Sequence, residues 1–213
     1  MNKRIDGKIG FPAKSGLYDP AQEKDSCGVG FVAHIKGIAS HQIMQDAYHV
    51  NSRMDHRGGC GFEENTGDGA GILTSLPCSF FETIAVEMGI SLPAPEKYAV
   101  GNIFLPQIEK ERNLCKDIIE KVIAEEGQKF IAWRTVPIDP DGANIGPAAR
   151  DAMPAIEQLF IGSNFQDNSE FDRALYTIRR RFTELLRNDS KLTQAEMLFA
   201  CSLSSKTIVY KGM

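Results

Sequence analysis

Residues 27–33 read Cys-Gly-Val-Gly-Phe-Val-Ala, and the composition of the chain changes at the first of them. Before Cys27 the sequence is polar and rich in turn-forming glycine and proline. After it comes a short apolar run of β-forming residues, which is typical of a buried strand. We therefore predict an extended or disordered arm over residues 1–26 and a folded domain that begins with a strand at Cys27.

Helical and strand-like patterns alternate downstream of this run. Ser40 is a candidate N-cap for an amphipathic helix that ends near Arg53, and Ser79 and Glu82 have the spacing of a capping box for a second helix. Further helices are predicted at 107–126 and 170–187, strands at 72–76, 98–105, 130–136, 197–203 and 207–210, and residues 154–161 fit either type. This mixed order is compatible with an α+β fold.

Charge and hydropathy exclude several classes of protein. The 213 residues carry a net charge of −4, which argues against a dedicated nucleic-acid binder. The basic run Arg179-Arg180-Arg181 falls in a helical segment and is interpreted as a solvated helix face. No stretch approaches the roughly 20 apolar residues of a membrane span, and no apolar run follows Lys3 and Arg4 as a secretory signal would require. We expect a cytoplasmic protein that binds neither nucleic acid nor membrane.

The cysteines and histidines do not form a recognisable metal or disulfide pattern. The five cysteines include no Cys-x-x-Cys pair, and their odd number favours a reduced setting. We predict Cys78, Cys115 and Cys201 at core or near-core positions and Cys60 packed in a loop. The spacings of the histidines do not fit zinc motifs; they are His34, His41, His49 and His56. A redox or metal-binding cysteine protein remains a third hypothesis, which would require bound metal or a disulfide.

Three local motifs can carry chemistry. They are Cys27-Gly28-Val29-Gly30-Phe31, Met54-Asp55-His56-Arg57-Gly58-Gly59-Cys60-Gly61 and Thr66-Gly67-Asp68-Gly69-Ala70-Gly71. Taken singly, each has a purely structural alternative. A cysteine before a strand can be a small packed hydrophobe, and the last motif, which lacks a Walker lysine and the dinucleotide-binding spacing, can be a tight turn.

Taken together, the three motifs resemble the opening of the class II glutamine amidotransferases, which are N-terminal-nucleophile hydrolases, and most closely that of the glutamate synthases. The segment Ala174-Leu175-Tyr176 and the closing Ser-Leu-Ser-Ser-Lys-Thr-Ile-Val-Tyr-Lys-Gly at 202–212 also resemble glutamate synthases. The resemblance spans nearly the whole chain. It implies a four-layer αββα sandwich, of which residues 27–213 would supply the first half.

The resemblance also implies roles for individual residues. Cys27 would attack the side-chain amide of L-glutamine after residues 1–26, a propeptide, are removed. Its own α-amine, with an ordinary pKa of roughly 7.7 to 8.0, could then serve as the base for the thiol. Arg57 would lie beside the nucleophile and help to bind the substrate; its structural alternative is a surface ion pair.

The complete enzymes of this family contain parts that the chain lacks. Its sequence has neither the Arg-x-Ser-Thr nor the His-Asn-Gly-Glu motif, so we expect a domain truncated at its C-terminus and inactive alone. The resemblance implies FMN and an iron-sulfur cluster in later synthase domains, with no cofactor in this segment. Its partners would be those domains and an electron-donating subunit, and the donor could be NADPH, NADH or ferredoxin. The alternative function is a non-catalytic regulatory or interaction module that retains the amidotransferase fold.

Overall fold

The computed structural model describes residues 4–5, 8–9, 14–16, 19, 28–54, 63 and 69–212. The chain divides into two compact units at the bond between Gly69 and Ala70. Each unit has its own secondary structure.

The described residues of the first unit include two short paired strands and a helix. Strand β1 (Arg4–Ile5) pairs antiparallel with β2 (Lys8–Ile9), so part of the predicted arm forms paired strands. Helix α1 (His41–Ser52) begins where the sequence predicts, because the Ser40 side chain accepts a hydrogen bond from the backbone N–H of Ile43.

The predicted strand at residues 27–33 is not formed over the described residues 28–33, so that prediction is wrong there. A strand requires a neighbour to satisfy its backbone N–H and C=O groups, and no strand among the described residues pairs with this segment. The side chains of Val29 and Phe31 are each 92% exposed. Residues 28–33 therefore form an exposed apolar segment, although their composition is typical of a buried one.

The second unit contains the remaining helices and strands. In chain order they are β3 (Ala70–Ser75), α2 (Cys78–Met88), β4 (Tyr98–Leu105), α3 (Glu109–Glu125), β5 (Lys129–Thr135), α4 (Pro147–Ala152), β6 (Ala155–Gly162), α5 (Asn168–Arg187), a 3₁₀ turn (Ala195–Met197), β7 (Phe199–Ala200) and β8 (Thr207–Gly212). The strands form a four-stranded sheet in the order β5-β6-β4-β7 and a separate ribbon of β3 and β8. All pairings are antiparallel, and the α+β class is confirmed.

Helices α3 and α5 cover one face of the four-stranded sheet. The odd-numbered residues of β4 and β6 point into this layer, and Ile103 and Leu159 among them are fully buried. From α5, Phe171, Ile178 and Phe182 keep helical spacing and pack into the same core. This face contains the larger of the two hydrophobic clusters.

Helix α2 and the ribbon cover the opposite face. Phe81 of α2 meets Phe160 of β6 edge to face, with ring centroids 5.5 Å apart, and Ile208 of β8 belongs to the same cluster. The even-numbered residues of β4 and β6 point toward this side. The unit thus has a helical layer, a sheet, and a layer shared by the ribbon and α2.

Two details of the predicted elements are corrected by the structure. Helix α2 has Pro77 as its N-cap, so Ser79 lies inside the first turn and the predicted capping box is not formed. The predicted strand at 197–203 contains only the two-residue β7. Its register against β4 shifts by one residue between the pair Ile103–Ala200 and the isolated bridge Val100–Ser204, which interrupts the ladder.

The basic run on α5 is only partly a solvated face. Arg180 is exposed, but Arg181 donates to Glu126 at 2.6 Å and to Glu125 at 2.5 Å, which joins α5 to the end of α3. These carboxylates raise the pKa of Arg181. The run therefore includes a link between the two helices.

Within the described residues, no helix is both long enough and apolar enough to cross a bilayer.

Glu111 of α3 anchors the loop after α5. Its carboxylate accepts hydrogen bonds from the Thr193 hydroxyl at 2.6 Å, from the Thr193 backbone N–H at 3.0 Å and from the Gln194 backbone N–H at 3.1 Å. The hydroxyl bond lowers the pKa of Glu111 below its ordinary value of 4.5, burial opposes this shift, and the two N–H groups add to the lowering. The loop is thus held by an ionised carboxylate.

Because the pKa of Glu111 is lower in the folded state, its contribution to stability is complete above about pH 4.5 and is lost as the pH falls through the folded value. We expect Glu111→Gln to lower the urea midpoint at neutral pH and to reduce the loss of stability on acidification. Glu109→Gln, an exposed change in the same helical turn, is the control. If stability falls on acidification in Glu111→Gln as much as in the unaltered chain, this role of Glu111 is contradicted.

Candidate active site

The two residues predicted to form the site, Cys27 and Arg57, lie outside the described residues. His56, Cys60 and residues 66–68 of the glycine-rich loop do so as well. The structure describes segments that lie next to these residues in the sequence, among them residues 28–54 and the chain from Gly69 onward.

The glycines that follow Cys27 pack closely against the C-terminal end of α1. A Cβ on Gly28 would lie 2.5 Å from the Met54 sulfur, and a Cβ on Gly30 would lie 2.5 Å from Cγ1 of Val50. Any side chain at position 30 would displace the β-branched and therefore stiff Val50. Position 30 therefore favours glycine strongly, whereas at position 28 the nearest obstacle is the flexible side chain of Met54.

The other two motifs are attached to defined elements. Helix α1 has its C-cap at Arg53, and the backbone N–H of Met54 donates to the Asn51 carbonyl oxygen at 3.1 Å. The motif that contains Arg57 therefore starts at the end of α1. The glycine-rich motif ends in Gly69, whose φ of 96° suits glycine, and in the first residues of β3.

Two of the three cysteines that the structure describes are not activated. Burial raises the pKa of Cys115 to about 12 and that of Cys201 to about 11. Cys78 is half-buried, and its thiol donates to the Leu76 carbonyl oxygen at 3.6 Å. The predicted core or near-core positions of these residues are confirmed, and the two thiols with raised pKa are unsuitable as nucleophiles at neutral pH.

The histidines that the structure describes are His34, His41 and His49. Nδ1 of His34 faces the backbone N–H groups of Lys36 and Ile38, each at 3.3 Å, and thereby closes a turn. His41 and His49 lie eight residues apart on α1, which is more than two helical turns. In the part of the chain that the structure describes, no three His, Cys, Asp or Glu side chains are grouped to hold a metal ion.

The two remaining motifs of the sequence meet in space. Asp172, near the Ala174-Leu175-Tyr176 segment of α5, accepts hydrogen bonds from Lys206 at 2.8 Å and from the Ser205 hydroxyl at 3.2 Å. Sequence analysis missed this contact, because its partners are 33 and 34 residues apart. The acidic residue holds the turn that leads into β8.

Comparison with known proteins identifies the family. Residues 27–213 match the class II glutamine amidotransferases, so the match begins at Cys27. The chain belongs to this family of enzymes.

The similar proteins are glutamate synthases. The chain is 40% identical to the large chain of NADPH glutamate synthase from Bacillus subtilis, over 95% of this chain and 13% of that protein. It is 37% identical to ferredoxin-dependent glutamate synthase 1 of Arabidopsis thaliana, over 95% of this chain and 12% of that protein. It is also 37% identical to the NADH glutamate synthase of Schizosaccharomyces pombe, over 95% of this chain and 10% of that protein. The chain thus spans about an eighth or less of their lengths.

Proposed function

We propose that this chain is the nucleophile-bearing part of the glutaminase site of a glutamate synthase, with Cys27 as the nucleophile. The observation that supports this most is that the family match begins at Cys27 and excludes the 26 residues before it. The reaction is the hydrolysis of the L-glutamine side-chain amide to glutamate and ammonia. In the complete enzyme the ammonia would be used with 2-oxoglutarate to make glutamate.

The chemistry proceeds through a thioester. The sulfur of Cys27 attacks the side-chain carbonyl carbon of glutamine, and the thiol proton passes to the α-amine of the same residue. The amine returns this proton to the departing nitrogen, which leaves as ammonia. Water then cleaves the thioester, which releases glutamate and restores the thiol.

Removal of residues 1–26 supplies the base in this mechanism. While the bond between Ser26 and Cys27 is intact, the nitrogen of Cys27 is an amide and accepts a proton poorly. Once it is free, the amine titrates near neutral pH and can act on the thiol beside it. The leader is therefore a propeptide that keeps the site inactive until it is cleaved.

Arg57 is proposed as a substrate-binding residue next to the nucleophile. The contact between Gly28 and Met54 supports this role, because it brings the backbone beside Cys27 to a point three residues before Arg57 along the chain. A guanidinium suits recognition of a glutamine carboxylate, which it can bind through two parallel hydrogen bonds.

The four-layer sandwich is likewise proposed for the complete domain. Within the second unit, a helical layer covers one face of the main sheet, and the β3–β8 ribbon lies on the other face. A two-stranded ribbon is a small second sheet, and further strands and a helical layer beside it would complete the four layers.

By itself the 213-residue chain is proposed to have no measurable glutaminase activity. The motifs that supply an oxyanion donor and glutamine-binding groups in this family are missing from its sequence. Loss of a single oxyanion donor typically lowers the rate by about 10²- to 10³-fold. FMN, the iron-sulfur cluster and the electron-donating partner belong to other parts of the complete enzyme.

Covalent labelling of the full polypeptide that the gene encodes tests the assignment of the nucleophile. An electrophilic glutamine analogue with a diazoketone in place of the carboxamide is expected to add once per chain, at Cys27. Excess L-glutamine should protect the thiol. Peptide mapping by mass spectrometry locates the adduct.

Cys115 and Cys201 provide internal controls, because burial raises the pKa of both thiols and leaves them mostly protonated. Labelling that persists at full stoichiometry in the Cys27→Ala variant would refute the assignment. A chain that takes up no label at all would favour the non-catalytic module.

A further inference from the structure

A pocket lies between the first half of α5 and the turn that leads into β8. Its volume is about 300 Å³, which is at the lower end of the range for small-molecule sites. Side chains of α5, the first from Asp172 and the last from Arg179, line one wall, and Leu203, Ser204 and Lys206 line the other. Both walls belong to motifs that the proposed glutaminase reaction does not use.

One end of the pocket carries an ion pair that can accept further partners. The Asp172 carboxylate accepts hydrogen bonds from Lys206 at 2.8 Å and from the Ser205 hydroxyl at 3.2 Å. These bonds use part of the four or so lone-pair sites that a carboxylate offers. The Lys206 ammonium has three N–H donors, and its side chain is 55% exposed. This end therefore offers an acceptor for a cation and a donor for an anion.

The other end carries an unpaired cation. Arg179 lies seven residues after Asp172, so the two are about 10 Å apart along the helix axis. Arg179 is half-buried, and its guanidinium has no ion pair or hydrogen bond with any residue that the structure describes. Arg181, by contrast, is bound by two carboxylates at the end of α3. A free guanidinium can hold a carboxylate through two parallel hydrogen bonds.

The space between the two ends has an apolar wall and two hydroxyl groups. Leu175 and Leu203 supply the apolar surface. Oγ of Ser204 accepts from the backbone N–H groups two and three residues further on, at 3.0 Å and 3.3 Å. Its own O–H has no acceptor among the described residues, so it can donate to a ligand. Tyr176 is 62% exposed and lies at the opening of the pocket.

We infer that this pocket is a binding site for an acidic amino acid. The pocket contains one carboxylate and two cations, and such a ligand carries one ammonium and two carboxylates, so the charges match in number and are opposite in sign. The ligand's ammonium binds Asp172, and its side-chain carboxylate binds Arg179. Its α-carboxylate binds Lys206 and the Ser204 hydroxyl. The methylene groups of the ligand lie against the two leucines.

L-glutamate is the probe for this site. It is also a product of the proposed reaction, but its binding in this pocket does not depend on that reaction. Titration of the ¹⁵N-labelled chain with L-glutamate, at constant pH and ionic strength, is expected to give saturable NMR shifts at the backbone amides of residues 172–179 and 203–206. These shifts are measured in the unaltered chain, so they test the inference even where a variant fails to fold. Their absence would overturn it.

Arg179→Gln removes the unpaired charge and keeps a polar side chain. It should weaken the binding of L-glutamate by at least about ten-fold, because a hydrogen-bonded ion pair is lost. Arg187→Gln is the matched control, since it removes an exposed arginine of the same helix that does not line the pocket. Equal affinities in the two variants would contradict the role of Arg179.

Two related ligands test the charge pattern. L-glutamine lacks the second carboxylate and glutarate lacks the ammonium, so each should bind at least about ten-fold more weakly than L-glutamate. Glutarate that binds as tightly as L-glutamate would show that the pocket recognises carboxylates alone, such as acidic side chains of another polypeptide, and would overturn the inference.

Arg57→Gln separates this pocket from the proposed glutaminase site. The variant should leave the titration with L-glutamate unchanged. Binding that is lost in Arg57→Gln and retained in Arg179→Gln would assign L-glutamate to the glutaminase site. That result would overturn the inference and leave the proposed function intact.

Discussion

Replacing Cys27 with alanine is expected to reduce glutamine-dependent ammonia release by the complete enzyme by at least about 10³-fold, because the substitution removes the atom that forms the thioester. Glutamate formation from added ammonia should continue, since the later steps do not use this thiol. The measurement compares both rates in the Cys27→Ala variant and in the unaltered polypeptide. A selective loss of the glutamine-dependent rate separates a defect in the nucleophile from a failure to fold.

The matched control is Cys201→Ala. Cys201 is half-buried and the pKa of its thiol is raised to about 11, so it takes no part in the proposed reaction. Because Cys201 takes no part in the proposed reaction, its replacement should leave the glutamine-dependent rate within about two-fold of the original. Equal losses in the two variants would contradict the assignment of Cys27.

Phe160→Ala is expected to lower the free energy of unfolding by about 3–5 kcal/mol, the usual range for deletion of a buried aromatic side chain. Phe160 is fully buried on β6, between β4 and β5, and its ring meets Phe81 of α2. The deletion opens a cavity in the cluster that attaches α2 and the ribbon to the sheet. Urea denaturation followed by circular dichroism measures the change.

Val86→Ala is the control for that measurement. Val86 lies on the same helix as Phe81 but is 81% exposed, so its truncation should change the free energy of unfolding by no more than about 0.5 kcal/mol. A loss below about 1 kcal/mol for Phe160→Ala would show that this cluster does not hold the unit together.

Local signals in the sequence predict much of the secondary structure. Strand β4 has the predicted bounds, and α1 starts at its predicted N-cap. Helix α2 has Gly89 as its C-cap, in the left-handed conformation that glycine commonly adopts at the end of a helix. These features depend on residues close together in the chain, so their physical causes are visible in the sequence itself.

Features set by distant residues could not be predicted in this way. The sequence of β6, which is apolar except for Glu157 and Gln158, fits a helix or a strand until β4 and β5 are placed on either side of it. The bond between Glu111 and Thr193 joins residues 82 positions apart, and the bond from Asn102 to Val209 spans 107 positions. Neither pairing leaves a local pattern.

At residues 28–33, in contrast, a local signal predicts an element that is not formed. Its composition favours a buried strand, but pairing depends on a neighbouring strand, and composition does not reveal whether one is present. The candidate site was predicted from its motifs and their resemblance to a family. Composition and periodicity would have left Cys27 as a packed thiol.

The proposal depends most on Cys27 becoming the N-terminal residue. Intact-mass spectrometry of the purified full-length protein, followed by sequencing of its N-terminal peptide, measures this directly. The proposal requires a mature chain that lacks residues 1–26 and begins with a free Cys27 amine. An active glutaminase that retains the leader on Cys27 would contradict it, because the amide nitrogen of Cys27 could not then act as the base.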